Sequence, residues 1–79
     1  MKKEAEKMAN QLVKIDNALK EVYHLSGGRQ KILFHKEIPF RTLVELAQLI
    51  PDCRVMAGRS WSFYMANCTI CIRRNLNTR

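Results

Sequence analysis

Arg59-Ser60-Trp61 and the adjoining Phe63-Tyr64 place a guanidinium beside three aromatic rings within six residues. Such a set can hold phosphate and stack on an exposed base. Around it, residues 51–79 add Arg54, Arg73, Arg74 and Arg79 against the single acid Asp52. More than half of the chain's net charge of +7 therefore falls in its last 29 residues. Concentrated positive charge of this kind attracts polyanions over distance. The same residue types also dominate protein interfaces, so Trp61 and Arg59 could instead anchor a protein partner. A third reading puts Trp61 and Phe63 in the core of a small domain and leaves Tyr64, on the opposite side of the strand, exposed.

The other chemistry-bearing residues are weaker signals. Ser26-Gly27-Gly28-Arg29 lacks the lysine and hydroxyl of a nucleotide-binding loop and follows a helix, so it reads as a helix stop. Arg29 and Lys31 after it are secondary candidates for phosphate contact. Cys68-Thr69-Ile70-Cys71 is the one Cys-x-x-Cys. On an extended strand its thiols point to opposite faces, which defeats chelation, and a structural zinc site needs four ligands. Core packing is the expected role, with no metal and no cofactor. His24, His35 and Glu37 could serve acid–base chemistry, but no spacing ties them to each other. A non-enzymatic protein is expected, with a small ribonuclease as the third alternative.

These residues must be positioned by a short chain. At 79 residues it forms one domain that buries only about 60–65% of its extended surface. Homodimerisation would add burial. Apolar residues make up 47%, enough to form a core. No apolar run reaches the roughly 20 residues of a membrane span, and the first residues do not resemble a secretory signal. A cytoplasmic location with reduced cysteines is the resulting expectation.

Residues 2–25 read as one amphipathic helix. Met8, Leu12, Ile15, Leu19 and Val22 follow alternating spacings of four and three that draw a single stripe. That stripe could pack on a sheet or on a second copy of itself, and it is the candidate dimerisation surface. Beyond Gly27-Gly28, a strand is expected at 30–36. A short helix follows at 42–50, opened by a Thr42/Glu45 capping box and ended by Pro51. Strands follow at 53–57, 60–65 and 68–73, and 75–79 reads as a frayed tail. The expected architecture is α+β: a small antiparallel sheet of three to four strands against a long N-terminal helix and a short second helix, in the order α-β-α-β-β with a further C-terminal strand if Asn67 makes a turn. Function follows as an expectation. Arginines of the C-terminal half hold nucleic-acid backbone, or the same basic face docks on an acidic protein.

Overall fold

The computed structural model describes residues 2–76; Met1 and residues 77–79, Arg79 among them, lie outside the described residues. Its elements are α1 (Lys2–Ala18), α2 (Lys20–Ser26), β1 (Gln30–Ile38), α3 (Phe40–Leu49), β2 (Cys53–Met56), β3 (Ser60–Tyr64) and β4 (Cys68–Arg74). The expected α+β order is what the structure shows. The four strands form one sheet in the order β1-β4-β3-β2. β2, β3 and β4 make an antiparallel meander, whereas β1 joins β4 in parallel. The sheet is therefore mixed. The parallel pair arises because β1 is followed by α3, a crossover rather than a hairpin, and crossovers deliver parallel partners.

Helix α1 forms because its apolar stripe finds a sheet to cover. Met8 and Leu12 meet Leu43 and Leu46 of α3, together with Phe63, Ile70, Ile72, Trp61 and Cys68 of the sheet, in one buried cluster. The apolar stripe does not continue as one uninterrupted helix. At Leu19 (φ −94°, ψ 4°) the helical geometry lapses, and the Leu19 N–H is shared between the carbonyls of Ile15 and Asp16, both at 3.1 Å. The Asp16 carbonyl also accepts the side-chain amide of Asn67 at 3.2 Å. A side chain that inserts a donor into the helical ladder is a recognised cause of such an interruption. Helix α2 ends at Gly27, whose φ of 69° is left-handed and whose N–H donates to the Tyr23 carbonyl, the cap expected of a glycine there.

Helix α3 begins two residues earlier than the Thr42 start that the sequence suggested. Pro39 (φ −59°, ψ 147°) is its N-cap, with no side-chain capping bond, and Leu43 N–H closes the first turn on the Pro39 carbonyl at 3.1 Å. Thr42 is consequently inside the helix and buried, which removes the proposed capping box. Proline suits the start of a helix because its fixed φ is already compatible and no N–H is lost. At the other end Pro51 follows Ile50, which is extended (φ −122°, ψ 88°) as a pre-proline residue should be.

The β2–β3 connection is a tight turn. Ala57 (φ 55°) and Gly58 (φ 70°) both take positive φ, and Arg59 N–H reaches the Met56 carbonyl at 3.2 Å. Two central residues of positive φ match the right-handed twist of a hairpin. Glycine adopts that geometry freely; Ala57 does so at some cost. The β3–β4 turn is held from outside. Asp16, only 5% exposed, accepts the Asn67 backbone N–H at 2.7 Å and its side-chain amide at 3.3 Å. Its carboxylate also accepts from the Cys68 thiol at 3.5 Å.

Candidate nucleic-acid interface

Strand alternation sorts the sheet residues onto two faces. Ile32, Phe34, Cys68, Ile70, Ile72, Trp61 and Phe63 face the helices. On the other face, register places residues in transverse rows. Lys31 lies beside Thr69, which lies beside Tyr64. Leu33, Cys71, Ser62 and Arg54 make a second row across all four strands. Arg73, Ser60 and Met56 make a third, with His35 on the β1 side. Lys31, Arg54 and Arg73 fall one to a row, while two carboxylates flank the face: Asp52, whose carbonyl accepts the Tyr64 N–H at 2.8 Å, and Glu37 beside Lys36 at the far end of β1. The three cations stand on different strands, Lys31 on β1, Arg54 on β2 and Arg73 on β4, so strand and row spacing set them roughly 12–16 Å apart across the face.

Among the described residues no helix covers this face. Leu33 and Met56 are 62% and 66% exposed, and Lys31, His35, Arg54 and Arg73 are all exposed. Tyr64 is half-buried, with the Arg54 guanidinium 5.6 Å from its ring centroid, within cation–π range. The centre of the face is lined by half-buried Ser60, Ser62, Thr69 and Cys71. Ser62 Oγ and Cys71 Sγ are 3.4 Å apart.

The structure separates several residues that the sequence reading had grouped. Arg54, Arg73, Tyr64 and Lys31 share the open face. Arg74, one residue beyond Arg73, points to the helix side, where its guanidinium carbon sits 4.4 Å from the Phe40 ring centroid. Its strand partner is Ile38. Trp61 is a core residue, 7% exposed, packed edge-on against Phe40 with ring centroids 6.0 Å apart. It cannot be a surface anchor in this fold. Buried Trp61 Nε1 and Arg74 Nε lack hydrogen-bond partners among the described residues. Arg59 is exposed at the β2–β3 turn, where its carbonyl accepts the Arg74 N–H at 2.7 Å. Arg29 is spent on architecture: its Nη1 donates to the Met65 carbonyl at 2.8 Å and ties the start of β1 to the β3–β4 turn.

The stripe read as a dimerisation surface is largely consumed within the chain. Met8 and Leu12 are in the core, and Ile15 and Leu19 pack against it. Val22 alone is exposed, at 39%, on a helix with no buried residue. The two cysteines of Cys-x-x-Cys face opposite sides, as strand geometry requires. Burial and its contact with Asp16 push the Cys68 thiol up to about 11. Burial also raises Cys53. Neither is an activated nucleophile. No group of three or more potential metal ligands clusters among the described residues, and no helix there is long and apolar enough to cross a membrane. The remaining imidazole, His24, stacks edge-on against Tyr23 on α2.

Sequence reasoning missed Leu33, His35 and Met56 as members of the face. Alternation with Ile32 and Phe34 was the available signal for Leu33 and His35 on β1; β2 buries no residue fully, so Met56 had none. No family model, curated protein or solved structure matches this chain.

Proposed function

We propose that the open face of the sheet binds single-stranded nucleic acid, with Lys31, Arg54 and Arg73 on phosphates and Tyr64, backed by Arg54, as a stacking surface. The observation that carries this reading is the grouping on one open face: Lys31, Arg54 and Arg73 stand exposed on the same side of the sheet, around Tyr64 with the Arg54 guanidinium 5.6 Å from its ring centroid. The outer strands lie about 14 Å apart, a width that accommodates two or three bases laid on a sheet. An aromatic platform flanked by cations is a sequence-tolerant way to hold single strands, because every base has a stackable face and every nucleotide a phosphate. Duplex is disfavoured, since a flat sheet face reaches neither groove deeply.

A second reading, docking on an acidic protein, is supported by exposed Leu33 and Met56 on the same face. One experiment separates the two. Fluorescence anisotropy with mixed-sequence single-stranded RNA and DNA at low salt gives binding that disappears in Arg54→Glu/Arg73→Glu and weakens in Tyr64→Ala. Absence of binding to every strand, with the protein folded, rejects the nucleic-acid reading and leaves the protein-partner one.

A further inference from the structure

The third row of the open face is more than a flat patch. Two additional residues in β1 between Phe34 and Ile38 shift its register against β4, and a strand that bulges swings away from its neighbour. An open depression results at this end of the sheet. It is lined by His35, Lys36 and Glu37 from the bulged segment, by Ser60 of β3, and by Cys71 and Arg73 of β4. Two permanent cations and an imidazole surround it against one carboxylate, Glu37. Ser60 adds a hydroxyl able to donate or accept.

This set exceeds what one bridging phosphodiester requires. A phosphodiester carries a single negative charge, whereas a terminal phosphate monoester carries close to two near neutral pH and offers three strong acceptor oxygens. Arginine suits it because the planar guanidinium can bond two of those oxygens at once. We infer that the depression seats the terminal phosphate monoester of a bound single strand, Arg73 holding it from β4 and His35 and Lys36 from the bulge. The inference rests on the open face being the strand-binding surface. It adds that strand ends are distinguished from strand interiors and that the end fixes where the strand begins on the face.

The test uses one oligonucleotide sequence in three forms, with a 5′-phosphate, a 3′-phosphate, or hydroxyls at both ends, measured by anisotropy with an internal fluorophore. One phosphorylated form should bind about tenfold tighter than the hydroxyl-ended form, the factor expected of added charge-assisted bonds. Which form wins gives the polarity of the strand. His35→Gln should reduce that ratio towards one while the hydroxyl-ended form still binds, and Arg73→Gln should weaken every form and lower the ratio as well. Equal affinity of all three forms in a protein that does bind them overturns the inference and leaves the face proposal standing. So does a ratio that survives both substitutions, because the end is then held elsewhere. Failure of every form to bind removes both.

Discussion

Asp16 is the side chain on which the geometry of the β3–β4 turn depends, and its removal should be costly. It is buried, it lies on α1, and its two oxygens serve donors 51 and 52 residues away: the Asn67 N–H at 2.7 Å, the Asn67 amide at 3.3 Å and the Cys68 thiol at 3.5 Å. A hydrogen bond to a charged acceptor contributes about 1.5–3 kcal/mol, and a buried donor left without its acceptor costs about 1–3 kcal/mol. Asp16→Ala deletes the acceptor and leaves the donors, so a loss of about 3 kcal/mol is expected. Asp16→Asn keeps one oxygen for the Asn67 N–H but sets one amide N–H₂ against another. It should cost about 1–1.5 kcal/mol. A domain of this size has a total stability of about 4–12 kcal/mol. The alanine variant should therefore melt roughly 12–24 °C lower. Urea unfolding followed by circular dichroism measures both variants against the wild type. A double-mutant cycle with Asn67→Ala then isolates the coupling. The reasoning is refuted if Asp16→Ala costs less than about 1 kcal/mol, or if the coupling to Asn67 is near zero.

Other outcomes follow from the same coordinates. Ala57 holds a φ of 55° in the β2–β3 turn, so Ala57→Gly should raise stability by about 0.5–1 kcal/mol, read as a shift in the urea midpoint without change of slope. Cys68 is held protonated up to about 11 by burial and by Asp16, above the ordinary thiol value. The folded state thus keeps a proton that the unfolded chain releases, and this contribution is complete below about pH 9 and fades as pH rises towards 11. Wild type should lose more stability over that interval than Cys68→Ala does, measured by unfolding at fixed pH steps. Phe63 is fully buried, and Phe63→Ala should cost about 3–5 kcal/mol and leave a protein with little cooperative unfolding.

Local patterns in the sequence were enough for the elements and insufficient for the contacts between them. The stripe through Met8, Leu12 and Ile15 marks α1 because periodicity of 3.6 is a property of neighbouring residues. The alternation through Trp61, Phe63, Ile70 and Ile72 marks β3 and β4 for the same reason. What covers each stripe is set elsewhere in the chain, which is why a surface read as self-associating turned out to be the seat of the sheet. Asp16 looks like an ordinary solvated helix residue until the turn at Asn67 is placed beside it. Arg29 looks free until the Met65 carbonyl, 36 residues later, comes within 2.8 Å. The grouping of Arg73 with Arg74 was avoidable: adjacent residues on a strand face opposite ways, and only the first can join Arg54 and Tyr64. The capping box at Thr42 failed because Pro39 supplied an earlier start, and a local motif yields when the chain enters the helix from a different place. The bulge in β1 left no mark in the sequence, since no glycine or proline accompanies Lys36 and Glu37.

The measurement that bears most directly on the open face is the salt dependence of single-strand affinity, wild type against Arg54→Glu/Arg73→Glu. Three phosphate contacts predict a log–log slope of about −2 for a single strand, near-complete loss of binding in the double variant, and an unchanged melting temperature, because both arginines are exposed. Affinity that is flat with salt, or that survives the double reversal in a folded protein, contradicts the assignment of this face to nucleic acid.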